Sequence, residues 1–521
     1  METLKRLVIY EYNENKPLPE YVRYAINSLI QLSQTCIVVL KQLPEDDDSL
    51  KDLNAETVKT RKQALNGYLN YDELILANDN FYGPFASFDP LFEEMETFDF
   101  WSIDGHSSFC VFKRKVLENP NFIENIITKP NSISHDFIEK GYKYGLKIKE
   151  PIEIDHYVKE ENCPIIPRNY FLTTRHKYFN YRLKYSVDYI KTSSNYDTDL
   201  ILKDLIVSGS LGNTRENLHL DFILSSRCSD NNIINTNRKI AIVMYIYPLN
   251  LVEYSYKYVQ SMPKDADIYI VSTTEKVIRK CKEVFAGLNR TIQYRMQKNR
   301  GRDNSALLIT CKDVIKEYDN ICFVHSKQSS KLNKVIGDDF RNHCFESLLA
   351  SPLYVENIIA AFEENPYLGI LLPFPPNFYP YKVLGNEWMN NYENSKNFIK
   401  TRLNLDIELD KENPICAFGG MYWFRSSAFN SLMKANLAFE DFESEPLTKL
   451  DGLLTHTIER IIPTLAQNDG YYTAFVAPEY YASIYINNIS SDIRVLKKEL
   501  KKYDSNKHLF KTFLKKLFSD S

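Results

Sequence analysis

The chain has 521 residues, enough for two or three domains with cores of their own. It is 44% hydrophobic and 25% charged with a formal net charge of −4, a balance that argues against nucleic acid as a main partner. No apolar run reaches the ~20 residues of a membrane span. The N-terminus, METLKRLVIYEYNENKP, turns acidic too early for a secretory signal. Nine scattered cysteines without a CxxC pair read as reduced core thiols rather than disulfides or a zinc site. The expected compartment is the cytoplasm.

Residues 5–11 (KRLVIYE) and 36–40 (CIVVL) read as strands, and between them Val22, Ala25, Ile26, Leu29 and Ile30 form a helical stripe. Strand–helix–strand is the opening of a parallel sheet. An acidic loop, PEDDDS at 44–49, leads through a helical piece to the strand ELILAN at 73–78, which ends in Asn78, Asp79 and Asn80. FDFWSIDG at 98–105 and SSFCVFKRKVL at 107–117 are strand-like with a helix start. From about 165 to 235 the pattern changes to a polar-aromatic helix at 175–190 and then an Asn-, Ser- and Asp-rich linker ending in SDNNIINTNRK.

The alternation resumes with IAIVMYIYP at 240–248. Strands at 267–272, 291–297 and 321–324 are separated by helices at 250–261, 273–285 and 304–318, predicting a parallel sheet covered on both faces. Helices near 337–349 and 352–364, the strand LGILLPFPP, the strand ICAFGGMYWFR at 415–425 and a helix at 450–465 follow. The expected divisions are 1–165, a helical and linker segment 166–238, 239–488, and a tail 489–521. That tail carries eight lysines from Lys497 to Lys516, with Leu509, Phe510, Phe513, Leu514, Leu517 and Phe518 on one helical face. Such a basic amphipathic helix either docks on an anionic membrane surface or packs on its own domain.

One passage is written twice. YDELILANDNFYGP at 71–84 and YDNICFVHSKQS at 318–329 share a Tyr-Asp, an apolar run and a polar triplet. A buried strand that ends in polar side chains is where open α/β sheets bind ligands. In the second copy the triplet is His325, Ser326 and Lys327. Ahead of it stands NRGRD at 299–303, a tight turn between strand and helix. Gly301 permits the bend, the helix start offers free N–H groups to an anion, and Arg300 and Arg302 are forked donors suited to phosphate. The alternative is that Asp303 caps the helix and the arginines are solvated. Lys327 and His325 can neutralise a diphosphate. A carboxylate in that triplet would suggest magnesium or manganese; there is none, so a metal is possible but disfavoured. In KLDGLLTHTIERI, Asp451, Leu454, Ile458 and Ile461 fall on one helical face, so Asp451 either caps the helix or points into a cleft.

In order, NRGRD, YDNICFVHSKQS, GDDFRNH (337–343), FGGMYWFRSSAF (418–429) and DFESEP…DGLLTHTIERI (441–461) resemble the rhamnan synthesis protein F family over 239–488. The first half resembles its N-terminal portion through YDELILANDNFYGPF, FDFWSIDGHSSFCVFKRKVL and FIENI. It departs ahead of Tyr71, where RKQALNGYLN lacks an Asn-x-Gly-x-Asp turn. The resemblance implies an α/β chain with two GT-A-like, Rossmann-type nucleotide-diphospho-sugar transferase domains in tandem, the first a candidate degenerate copy. It implies transfer of L-rhamnose from dTDP-β-L-rhamnose to a saccharide or lipid-linked glycan in bacterial cell-surface polysaccharide synthesis; an inverting displacement, and a peripheral place at the inner face of the membrane, are the expectations added to it. Asp451 is then the expected base. Asn299, Arg300, Gly301, Arg302, Asp303, His325 and Lys327 are expected at the donor, and Gly419, Gly420, Trp423, His456 and Glu459 at the acceptor. Asn78, Asp79 and Asn80 are the first domain's counterpart. Transfer of a different sugar, or a non-catalytic scaffold in a polysaccharide-assembly complex, is the other reading.

Overall fold

The computed structural model describes residues 4–14, 16–41, 48–50, 53–103, 108–128, 133–148, 162–172, 181–228, 238–326, 334–377, 388–447, 449 and 451–503. The chain divides into two compact units, Met1–Ser208 and Gly209–Ser521.

In the first unit, strands β1 (Arg6–Tyr12), β2 (Thr35–Leu40), β3 (Glu56–Val58), β4 (Glu73–Asn78), β6 (Phe100–Ser102), β7 (Phe109–Lys113) and β8 (Tyr144–Leu146) form one sheet. Its order is β3-β2-β1-β4-β7-β6-β8. Only β7 runs antiparallel to its neighbours. A pair β5 (Phe81–Tyr82) and β9 (Ile166–Pro167) stands apart. Every residue of β4 is buried, as a central parallel strand covered on both faces requires. Helix α1 (Glu20–Ile30) turns Val22, Ala25, Ile26 and Leu29 inward, the stripe its spacing predicts.

The second unit repeats this order. Its strands are β10 (Phe222–Leu224), β11 (Ile240–Tyr245), β12 (Asp267–Ser272), β13 (Ile292–Met296), β14 (Asn320–His325), β15 (Leu368–Pro373), β16 (Tyr422–Arg425) and β17 (Tyr472–Pro478). They lie as β13-β12-β11-β14-β16-β15-β17, with β10 added beside β17. Here β16 is the antiparallel strand, between β14 and β15. Strand for strand, β4 and β14 hold the same place, so the twice-written passage is one structural element in two units. In register, Glu11 faces Asn78 in the first and Tyr245 faces His325 in the second.

Three expectations change. The segment 166–238 is not a separate linker. Helices α2 (Tyr181–Ser193) and α3 (Asp199–Ser208) belong to the first unit, and α4 (Leu211–Leu218) and β10 to the second. Their apolar residues decide this: Leu200, Ile201 and Leu205 are buried, as are Leu211 and Leu218. The linker's 229–237 lie outside the described residues. The expected single helix at 304–318 is a turn at Arg302–Ser305, a π-helical turn at Ala306–Thr310 and a helix at Lys312–Glu317. The wider π turn rotates the apolar stripe, so Ala306, Leu307, Leu308, Cys311, Val314 and Ile315 are all buried. Finally, no boundary falls at 489. After α5 (Lys334–Leu349) and α6 (Leu454–Asn468), one helix, α7, runs from Glu479 to Tyr503, and the tail's Leu509–Phe518 stripe lies outside the described residues. Among those residues no helix is long and apolar enough to cross a membrane.

Candidate functional site

The C-terminal end of β14 gathers side chains from four distant stretches. The first is NRGRD. Gly301 has φ +78° and Arg302 φ +48°, two left-handed residues in succession. A Cβ on Gly301 would stand 2.8 Å from the Phe442 ring and from Ser305 Cβ, so both backbone and space require glycine. Asn299 is exposed at the turn. The arginines go elsewhere than expected. Arg300 donates through Nε to the Phe442 carbonyl (2.6 Å) and through Nη2 to that of Glu440 (3.0 Å). It is a clamp on a chain segment, not a guanidinium standing ready for phosphate. Arg302 makes a two-pronged pair with Glu445, at 2.6 and 3.3 Å, and its side chain is half exposed. Neither arginine is simply solvated, and neither partner was visible in the sequence, because 440–445 lie some 140 residues away.

Asp303 does reach the strand end: its Oδ2 lies 3.7 Å from His325 Nε2. His325 is buried and donates from Nε2 to the Gly419 carbonyl at 2.8 Å. Glu459 Oε1 accepts the Gly419 N–H at 2.6 Å, and its own carbonyl accepts that of Ala417. The glycine pair is thus held from both sides, by β14 and by α6. Gly419 has φ +98° and Gly420 φ +67°. A Cβ on Gly420 would sit 3.0 Å from Asp303 Oδ2 and 3.5 Å from His325 Nε2. The structure thus brings Asp303 and His325, expected at the donor, beside Gly419, Gly420 and Glu459, expected at the acceptor; Lys327 lies outside the described residues.

Three expected residues take other roles. Trp423 is fully buried in β16 and donates from its indole to the Leu348 carbonyl (3.0 Å), so it is core and not an acceptor platform. Its strand is buried throughout because it lies inside the sheet. Asp451 does not share the helical face of Ile458, since α6 begins only at Leu454, after Gly452 at φ +76°. Its Oδ1 accepts from Asn391 Nδ2 (2.8 Å) and its Oδ2 from the Asn390 N–H (3.1 Å). Burial disfavours its charge, but these bonds, the Gly452 N–H and nearby His456 outweigh that and hold the carboxyl below its ordinary range. His456 accepts the Leu453 N–H at Nδ1 (3.3 Å), so it braces the start of α6.

One carboxylate was missed. Glu443 Oε1 accepts the Leu454 N–H at 3.0 Å, while Oε2 is buried with no hydrogen-bond partner among the described residues. A buried acceptor left unsatisfied is costly unless something else meets it. Its signal was the acidic run DFESEP, which periodicity cannot interpret. As for a divalent metal, the described donor set does not fit one. Asp303 is a single carboxylate, and the Nε2 of His325 is already donating, where magnesium or manganese takes several oxygen ligands.

The same place in the first unit is closed. Asn78 Oδ1 accepts the Asn80 N–H at 3.0 Å, and the Asp79 carbonyl accepts from Tyr21 (2.9 Å). Arg168 follows, its N–H on the Asn80 carbonyl at 2.8 Å. Its guanidinium grips both oxygens of buried Asp204 (2.6 and 2.9 Å) and reaches Glu14 (3.0 Å), while Tyr82 donates to Asp204 at 2.5 Å. Asp79 is buried, and that burial pushes its carboxyl up to about 6. The Tyr10 hydroxyl, whose titration is raised by burial and further by that carboxylate, has no partner among the described residues.

Among known proteins, a family model described as Rhamnan synthesis protein F matches residues 62–471. Two curated relatives, the uncharacterized protein WxcX of two strains of Xanthomonas campestris pv. campestris, are each 28% identical over 174 residues, 33% of this chain and 24% of theirs. The chain thus spans about a quarter of the length of those relatives. Of solved structures, glucosyl-3-phosphoglycerate synthase from Mycobacterium tuberculosis is 9% identical with a TM-score of 0.25, over 46% of this chain and 71% of that one. The glycosyltransferase GlyE of Streptococcus pneumoniae is 10% identical with a TM-score of 0.20, over 61% and 84%. Similarity that low leaves the fold to be read from the strand order itself.

Proposed function

Because this chain belongs to the rhamnan synthesis protein F family, we propose that its second unit transfers L-rhamnose from dTDP-β-L-rhamnose to a saccharide or lipid-linked glycan, with inversion, and that its first unit is a non-catalytic platform. The observation that carries this reading is the contrast between two equivalent strand ends. At β14 the side chains surround a glycine pair; at β4 an internal ion pair occupies the place a ligand would need.

Inverting transfer needs room beside the anomeric carbon, a partner for the departing diphosphate and a base for the acceptor hydroxyl. The carbon gains oxocarbenium character as the bond to diphosphate breaks. Gly419 and Gly420 supply the room. Arg302 is the guanidinium with solvent access, and exchanging Glu445 for a diphosphate keeps its fork paired. Glu443 fits the base better than Asp451. A carboxylate bound at both oxygens and held in its charged form gains little from a proton, whereas Glu443 keeps one oxygen unsatisfied.

The test is a transfer assay on the purified chain with dTDP-rhamnose and a glycan acceptor. Glu443→Gln should lose turnover by ~10²-fold or more while the donor still raises the melting temperature. Near-normal turnover in that variant removes Glu443 from the mechanism. Absence of any transfer by the unaltered chain, with no stabilisation by nucleotide-sugars, favours the scaffold reading instead.

A further inference from the structure

The turn at NRGRD sends two neighbouring side chains to different places. Arg302 pairs with Glu445. Asp303 goes to the end of β14, where its Oδ2 lies 3.7 Å from His325 Nε2 and 3.0 Å from where a Cβ on Gly420 would stand. The turn is fixed from below. Gln297 Nε2 and Ser305 Oγ both donate to the Arg302 carbonyl at 2.9 Å, and Ser305 Oγ also reaches the Arg300 carbonyl at 2.7 Å. The groups around Asp303 are already engaged: His325 Nε2 with the Gly419 carbonyl, Glu459 with the Gly419 N–H, Arg302 with Glu445. Asp303 itself is not. Its side chain is only 18% exposed, and among the described residues no donor hydrogen-bonds either oxygen of its carboxylate.

We infer that Asp303 determines specificity for the sugar half of the donor: its carboxylate accepts hydroxyls of the transferred hexose, in the space that Gly420 leaves beside it. The inference rests on the sugar-nucleotide reading above and divides the work of that site within one turn. An ionised carboxylate can only accept hydrogen bonds. When a ligand fills the space and displaces solvent, those oxygens need donors, because a buried acceptor left without one weakens binding. Diphosphate oxygens are acceptors of the same charge, so they do not meet Asp303 directly, and the donor set here does not suit a bridging divalent metal. Sugar hydroxyls are neutral donors, and a bond from one to a carboxylate is about twice as strong as a bond between neutral groups. The same charge turns away a sugar that carries a carboxylate of its own. Arg302 thus serves the diphosphate and Asp303 the ring.

Calorimetric binding of dTDP and of dTDP-rhamnose to the full chain, with no acceptor present, tests this without reference to turnover. Asp303→Asn should weaken dTDP-rhamnose by about 10- to 100-fold. The same variant should bind dTDP unchanged or more tightly, since the nucleotide alone loses only a repulsion. An unliganded melting temperature equal to that of the unaltered chain shows that the turn is intact. Donor analogues lacking one sugar hydroxyl make the test independent of any substitution. Against the unaltered chain at least one should bind about tenfold or more weakly than dTDP-rhamnose, and against Asp303→Asn that difference should vanish. Equal weakening of dTDP and dTDP-rhamnose in the variant overturns the inference. So does a tightening of both by manganese that Asp303→Asn abolishes, which would make Asp303 a metal ligand. Deoxy analogues that all bind as well as dTDP-rhamnose overturn it whatever the variant does. Binding of neither ligand by the unaltered chain overturns the donor reading and this inference together, a result distinct from binding that ignores Asp303.

Discussion

Asp79→Asn should stabilise the first unit, and by an amount that depends on pH in a stated direction. Asp79 is 5% exposed, and burial raises its carboxyl from 3.8 to about 6. The folded state therefore binds this proton more tightly than the unfolded chain does. Between those two values stability falls as pH rises, and above the folded value the full cost is present. A shift of two units corresponds to about 3 kcal/mol at neutral pH. The amide removes the charge at constant shape but adds two donors, so the net gain at pH 7.5 should be about 1–3 kcal/mol, shrinking toward zero or below near pH 4. Because the chain has two units, a single unfolding transition is not the right readout. Hydrogen exchange of peptides covering Arg6–Tyr12 and Glu73–Asn78 follows the first unit alone. Slower exchange in the variant at pH 7.5, vanishing toward pH 4, is the expected result, with sugar transfer unchanged. A variant that exchanges faster at pH 7.5, or whose gain is the same at both pH values, would refute the argument.

Arg168→Met should cost the first unit about 3–5 kcal/mol, since it strands buried Asp204 without its cation. Adding Asp204→Asn should recover part of that in the same exchange experiment. Gly420→Ala should keep the fold but lower kcat/KM by ~10- to 100-fold, because the new methyl presses on Asp303 Oδ2 from 3.0 Å. Trp423→Phe should cost about 1–3 kcal/mol from the orphaned Leu348 carbonyl, with no change in acceptor KM. A raised KM there would return Trp423 to the acceptor site.

What could be read from the sequence was what local pattern determines. The buried strands at 7–12, 73–78, 240–245 and 320–325 are apolar runs, and the helix at 20–30 has its stripe, so core elements announced themselves. The repeated Tyr-Asp passage located both strand ends. Long-range pairing was not legible. NRGRD reads as a phosphate loop because nothing nearby pairs its arginines, yet their partners return at 440–445. Asp451 reads as a helix-face carboxylate because the periodicity runs through it, although Gly452 was a visible reason to stop the helix short.

The two units sharpen this into a physical point about where function resides. They have the same strand order, and β4 ends with Asn78 opposite Glu11 as β14 ends with His325 opposite Tyr245. What differs is what the later chain brings back. In the first unit it brings Arg168, which finds Asp204 and Glu14 and closes the place with charge already neutralised. In the second it brings two glycines without side chains to fill the space, and Glu459 and Glu443 from opposite ends of the same closing segment. A ligand entering at β4 must break a buried bidentate ion pair, at a cost of several kcal/mol before any contact is gained. At β14 the trade it must make is Arg302 with Glu445, a pair whose guanidinium half is open to water and so weaker than a buried one. That difference in entry cost, rather than any difference in fold, is why the second copy is the one to test for chemistry.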